Sequence, residues 1–279
     1  RGIGVGPRGE VYLSFMYAWV NYMVAGFDRQ GRPIKGNYLK GKVQPDNFTR
    51  GQNKDLDSAV IGPITAANGG IRVDLDGNIY LGVWAWPADA PVPEGFRKDR
   101  GYLATAGSVF KFTPDGGFLS APNGWGGSDG VVKVPRTPGA GGIEVRSGAL
   151  GKSFRKGFLE GAVAAYPGLA PFSHNGFGGN SCCVCRVPRF DLDLWGRLAM
   201  PNAVTNSVLL VDNAGNLILE FGKYGNFDSQ FVKDGEEEGP IVSVPKIPLA
   251  WPTGAGLSAE HIYVNDTLSR RVVRVDKTY

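Results

Sequence analysis

Histidine occurs only twice in this 279-residue chain, at His174 and His261, and cysteine and methionine three times each. Two imidazoles exclude a three-histidine catalytic metal site built within the chain. No apolar run approaches the ~20 residues a membrane helix requires, and the richest, Val11 to Val24, is broken by Ser14 and Asn21. The chain also lacks a Gly-x-Ser-x-Gly nucleophile elbow, a Gly-x-x-x-x-Gly-Lys-Ser/Thr phosphate loop and a His-Glu-x-x-His zinc motif. Its Gly-rich runs, Gly124-Trp125-Gly126-Gly127 and Gly176-Phe177-Gly178-Gly179, lack the strand-to-helix setting that phosphate binding needs and read as turns. Charge of one sign is missing too. The 30 basic and 26 acidic residues give a net charge of +4 and are interspersed, so no basic stripe marks a nucleic-acid binder. The densest acidic run, Asp234 to Glu238, is bounded by Gly and Pro and reads as a solvated loop. Arg1 leads into strand-like sequence with neither an initiating Met nor a charged, apolar leader, and the expectation is a processed chain or a piece of a longer one.

What is abundant is punctuation. Glycine, at 42 residues, and proline, at 19, make up more than a fifth of the chain and are scattered between short apolar runs. With 42% hydrophobic residues there is enough apolar surface for a core, so the composition suits many short strands joined by tight turns. Helical periodicity is nearly absent. The best stretch, Asp57 to Asn68, is short and contains Pro63, so a loop or a single turn is expected there.

One pattern recurs: a strand, a turn with Asp or Gly, an aliphatic or Tyr strand, a gap, then an alternating strand ending in Asp and Gly. The first copy begins Gly4-Val5-Gly6-Pro7-Arg8-Gly9-Glu10-Val11-Tyr12-Leu13 and continues from Met23 to Arg32. The second reads Ile71-Arg72-Val73-Asp74-Leu75-Asp76-Gly77-Asn78-Ile79-Tyr80-Leu81, then Ser108 to Gly117, and its Asp-Gly-Asn turn between alternating apolar residues signals a hairpin. A third runs from Arg189 to Leu198 and from Ser207 to Gly222, and the last covers His261 to Asp266 and Arg270 to Asp276.

The stretches Asp74 to Leu81, Val208 to Gly222 and Ile262 to Val275 resemble NHL repeats, a likeness covering about half the chain. The resemblance implies a radial array of four-stranded blades, usually five to seven. The expectation is therefore an all-β propeller of about five to six blades in a single domain over residues 1–279. Period-2 alternation supports this independently, since a blade must bury its faces against its neighbours. Two stretches depart from the repeat. Trp84 to Thr105, with Pro87, Pro91 and Pro93, is expected as a long loop inserted at about 84–105. Residues of about 131–175 are expected to hold a weak blade with strands at Gly142 to Arg146 and Gly161 to Tyr166. The first repeat starts with its inner strand and the last stops after its third. An upstream segment, or another chain, is accordingly expected to complete the ring.

The one compact cluster of reactive groups is Cys182-Cys183-Val184-Cys185, with His174 eight residues upstream. Its spacing fits neither a zinc finger nor a haem attachment site. The commoner reading is a disulfide of Cys182 or Cys183 with Cys185, leaving one odd thiol and pointing to an oxidising compartment. Zinc or copper ligation and a catalytic thiol are the alternatives. His261 stands where Asn78 stands in the second repeat and reads as a turn residue. Asp74, Asp76, Asp191, Asp193, Asp212 and Asp266 could offer oxygen ligands to Ca2+, but their positions flanking turns favour carboxylates that accept backbone N–H bonds. No cofactor is assigned; Ca2+ and Zn2+ are the ions these residue types would take. Trp84 and Trp86, beside the proline-rich stretch, are the candidates for an exposed ligand groove, although packing is the commoner role for such residues.

Taken together, repeats without a recognisable catalytic set predict a noncatalytic propeller with a protein partner or neighbouring domain, no nucleic acid and no membrane span. It would be periplasmic or secreted within a larger protein or complex. A propeller hydrolase or lyase with an axial divalent ion is the first alternative, and a subunit of a redox complex the second.

Overall fold

The computed structural model describes residues 2–18, 21–37, 59–96, 100–120, 141–147, 155–172, 187–226 and 245–277. Among them helix is limited to the four residues of α1 (Arg100–Leu103) and one 3-10 turn (Glu94–Phe96). Everything else regular is strand. The first sheet orders β1 (Gly2–Val5), β2 (Val11–Ala18), β3 (Asn21–Phe27) and β4 (Pro33–Ile34) side by side, and β5 (Ala59–Thr65) also pairs with β3. The second orders β6 (Ile71–Val73), β7 (Ile79–Val83), β9 (Gly107–Phe112) and β13 (Ala162–Leu169). Next along the chain come β14 (Asp191–Leu192), β15 (Leu198–Asn202), β16 (Ser207–Val211) and β17 (Leu217–Phe221), and last β20 (Pro252–Leu257), β21 (His261–Asp266) and β22 (Arg271–Asp276), all antiparallel.

These sheets stack in a propeller-like row. Strand β1 lies against β6, β6 against β14, and β14 against β20. The apolar clusters follow the same order. Tyr12, Val24 and Ile64 of the first sheet meet Ile79, Leu81 and Phe110 of the second. Tyr80, Val109 and Tyr166 of the second meet Leu198, Met200 and Val211 of the third in the row. Ala199, Val208 and Leu210 then meet Ile262 and Val264 of the last. The row is thus held by side chains on both faces of its middle sheets, as period-2 strands require when each face has a neighbour.

The hairpin turns repeat one hydrogen-bond pattern at Asp28, Asp74, Asp193 and Asp212. In each, the Asp N–H donates to the carbonyl four residues on, and a glycine at the fourth position donates back to the Asp carbonyl. Oδ1 accepts the N–H groups of the third and fifth residues, while Oδ2 accepts the side chain of the fifth, Asn78 and Asn216 in two turns and Arg32 and Arg197 in the others. The glycines Gly31, Gly77, Gly196 and Gly215 sit at φ of +79°, +84°, +77° and +89°, where a Cβ would clash with the following carbonyl. The first hairpin closes with the same backbone pair from Gly6 to Glu10, and there the Glu10 carboxylate accepts the Arg8 N–H.

Three expectations are corrected. Residues Ala59 to Thr65 form strand β5, not a loop; pairing to β3 jumps from Ile61 to Ile64, past the Pro63 that has no N–H to give. The proline-rich stretch after Trp84 is not a bare loop. It contributes β8 (Trp86–Pro87), the 3-10 turn and α1, and packs Trp86, Tyr102, Phe96 and Leu103 into a cluster of its own. The weak blade is divided between two sheets. Strands β11 (Gly142–Ser147) and β12 (Arg155–Glu160) pair with each other and with β8 and β10 (Phe118–Ser120) in a sheet beside β5 and β13, whereas β13 itself joins the second sheet through β9. A short parallel pair, β18 (Lys223–Tyr224) and β19 (Pro248–Leu249), precedes the last sheet.

Burial opposes ionisation of Asp74, but the side-chain and backbone hydrogen bonds of Asn78 and the Lys111 ammonium at 3.4 Å outweigh it and hold the carboxyl below its ordinary 3.8. Asp74→Ala orphans two backbone N–H groups and is expected to cost about 1–3 kcal/mol, read from the denaturant midpoint. Because the folded carboxyl titrates below 3.8, its contribution is complete above that value and is lost as pH falls through the lower folded value. The gap between wild type and variant should therefore close in acid; a gap unchanged at about pH 2 contradicts the assignment.

Candidate interaction surface

The inner strands are where a propeller-like row would offer polar groups to a ligand, and here those groups tie one sheet to the next. Ile71 and Val73 face the first sheet, so alternation turns Arg72 to the other side of β6, where its Nε donates to Asp191 Oδ1 at 2.6 Å. Asp191 Oδ2 accepts the N–H of Leu257 at 2.8 Å, so one carboxylate joins β6, β14 and β20. Two residues upstream, Arg189 donates its N–H to the Thr253 carbonyl, accepts the Ala255 N–H, and sends Nη1 to the Asn68 carbonyl at 2.7 Å.

The acidic residues proposed as oxygen ligands are dispersed. Asp74, Asp193 and Asp212 hold turns, and Asp76 lies inside the first of them. Asp266 is fully buried at the end of β21, where it accepts the N–H groups of Ala250 and Trp251 and pairs with Arg271 at 3.2 Å. Turn chemistry therefore describes three of the six, while Asp191 and Asp266 join separate parts of the fold. Among the described residues no group of three or more His, Cys, Asp or Glu is placed to hold a metal ion. Cys182, Cys183, Cys185 and His174 lie outside the described residues. His261 opens β21, donating its N–H to Ser258 Oγ at 3.0 Å, with its Nε2 3.3 Å from Asp276.

Trp84 and Trp86 do not line an exposed groove. Trp84 is 2% exposed and stacks on Phe172, and Trp86, at 4%, packs edge-on against Tyr102 while its Nε1 donates to the Ala90 carbonyl. The stretch expected as an open loop instead folds back on Trp86, packing Ala90, Val92, Phe96 and Tyr102 with it. Burial pushes the Tyr102 hydroxyl up to about 12, against the opposing effect of the Asn202 amide that donates to it.

Uncovered apolar surface lies on β17, where Leu217, Ile218 and Leu219 are 57%, 49% and 42% exposed, and at the two ends of the row. On the first sheet, Gly2, Gly4 and Tyr12 face β6 and the core, so alternation turns Ile3, Val5 and Phe15 outward, where they are 64%, 62% and 39% exposed. On the last sheet, Ile262, Val264, Val273 and Val275 face its neighbour. Gly254, Gly256, Tyr263 and Val272 share the outward face through the pairs Gly254–Asn265–Val272 and Gly256–Tyr263–Arg274. A shallow groove of about 440 Å³ beside β22 is lined by Lys246, Arg271 and Arg274 with Ile247, Pro248 and Val273; Arg271 is already committed to Asp266 and to the Pro248 carbonyl. The end faces are not legible in the sequence, because Ile3 and Val5 alternate with glycine as buried residues of a short strand also would.

No family model and no curated protein matches this chain. Among solved structures it is similar to a protein of unknown function from Bacteroides caccae, at 10% identity and a TM-score of 0.34, covering 99% of this chain and 60% of that one. It is also similar to virginiamycin B lyase from Staphylococcus aureus, at 10% identity and a TM-score of 0.30, covering 100% and 70%. A third similarity is to a gluconolactonase from Xanthomonas campestris, at 14% identity and a TM-score of 0.28, covering 94% and 67%. Similarities of this size carry no argument.

Asp191→Ala leaves the Leu257 N–H and the Arg72 guanidinium without their shared acceptor and is expected to cost about 1–3 kcal/mol in chemical denaturation. Arg72→Ala should cost less, because Asp191 keeps the Leu257 bond. Equal losses for the two variants would contradict a carboxylate shared by three strands.

Proposed function

We propose that this chain is an NHL-like propeller segment that acts as a noncatalytic protein-binding or assembly module within a larger exported protein or complex. The observation that carries the reading is the contrast between its polar and apolar groups. The inner-strand charges are spent on holding sheets together, while Ile3, Val5 and Phe15 at one end and Val272 and Tyr263 at the other stand uncovered. Exposed apolar side chains gathered on one face are what a protein partner covers. An extracytoplasmic location goes with this reading through the cysteine cluster at 182–185, where a disulfide would require an oxidising compartment.

Capture from native extract by the tagged chain tests the proposal. A stoichiometric partner should be retained by wild type and by Asp191→Asn, and lost from the double variant Ile3→Glu, Val5→Glu. Elemental analysis supplies the opposing outcome. Bound divalent metal well above about a tenth of an equivalent, with chelator-sensitive turnover of a lactone or ester, would replace the assembly module with an axial-metal hydrolase.

A further inference from the structure

The contact between the first two sheets has a definite small-to-large pattern. On β1, Gly2 and Gly4 present bare backbone to β6, and Ile71 and Val73 fill the space. A Cβ built on Gly2 would stand 3.1 Å from Ile71 Cγ2, and one on Gly4 3.1 Å from Val73 Cγ2. Two glycines spaced by two on one inner strand thus receive two β-branched residues spaced by two on the next.

Both halves of this pattern recur, unmatched, at the ends of the row, and with the same polarity. The outward face of β20 carries Gly254 and Gly256, again spaced by two. Among the described residues a Cβ there would meet only the strand's own cross-pair, Asn265 at 3.4 Å and Tyr263 at 3.9 Å, so none of them fills the furrow above these glycines. The outward face of β1 carries Ile3 and Val5, 64% and 62% exposed. Gly2 and Gly4 look along the row towards β6, as Gly254 and Gly256 look beyond its end. Ile71 and Val73 look back towards β1, as Ile3 and Val5 look beyond its start. Within one molecule the two ends do not meet, since Ile3 and Val5 remain exposed.

We infer that the partner is a second copy of this chain. Ile3 and Val5 of one copy seat over Gly254 and Gly256 of another, flanked by Tyr263 and Val272, and so continue the sheet row across the interface. The inference rests on the assembly reading above and gives it a specific occupant. The contact is heterologous, head to tail, because the two surfaces differ, and it leaves each copy with one further head or tail to close a ring.

Sedimentation or light scattering on the full chain tests this. At about 10 µM, where a micromolar interface is substantially populated, wild type should run as a multiple of the 29.8 kDa chain mass. The head variant Ile3→Glu, Val5→Glu and the tail variant Gly254→Leu, Gly256→Leu should each run as monomers. Both should fold, since the head positions are solvent-facing and neither tail glycine has a left-handed φ. Mixed one to one, they should form a dimer of twice the chain mass and nothing larger, since the mixture retains one intact head and one intact tail per pair. A monomeric wild type, an assembly that survives either variant, or a mixture that stays monomeric would overturn the inference. If wild type is monomeric while native extract still yields a partner sensitive to Ile3→Glu, Val5→Glu, only the self-association is lost and the assembly reading stands.

Discussion

The middle sheets carry apolar side chains on both faces, and a sheet of this kind becomes a stable element only when a neighbour covers each face. An uncovered valine or isoleucine forgoes about 1.5–3 kcal/mol of burial, a large fraction of a domain's net stability. The second sheet satisfies the constraint: Tyr80 and Val109 on one side and Leu81 and Phe110 on the other are all buried. On the end sheets Ile3, Val5 and Val272 stay exposed. The order of sheets and the placement of their charges follow from that requirement, as does the character of the exposed surface.

Polar groups in such a stack have two roles open to them: closing turns or bridging sheets. The repeated Asp turns belong to the first, since a single carboxylate there replaces the hydrogen bonds that two backbone N–H groups lose when strands reverse. Asp191 belongs to the second. Placed at the meeting of three inner strands, it neutralises Arg72 and caps the Leu257 N–H. A carboxylate already bound to a guanidinium is poorly suited to holding a cation, since the arginine occupies the oxygen a metal would need.

The repeat was legible because turn and strand chemistry are local. Asp74 to Leu81 and Asp212 to Phe221 carry their hairpins in contiguous residues, and both form as their alternation predicts. Less legible were the elements whose partners lie far along the chain. Strand β5, with Pro63 inside it, pairs back to β3 across a long intervening segment, and β13 joins β9 while its sequence neighbours β11 and β12 join a different sheet. Trp84 and Trp86 follow the same logic. Prolines next to tryptophans suggest an open loop, but Phe172, brought from far along the chain, stacks on Trp84, while Tyr102 of the same stretch folds back edge-on against Trp86.

The sequence alone determined the all-β class, the positions of the Asp-glycine turns and the absence of a local catalytic motif, because each depends on residues within a few positions of one another. Which face of each strand is covered was decided only by tertiary structure. Ile3 and Ile71 are indistinguishable as isoleucines in short strands, yet one is fully buried against Gly2 and Gly4 and the other looks outward. Burial is a property of what stands opposite. For β1 and β20, what stands opposite is set by the stacking of whole sheets, which no local pattern encodes.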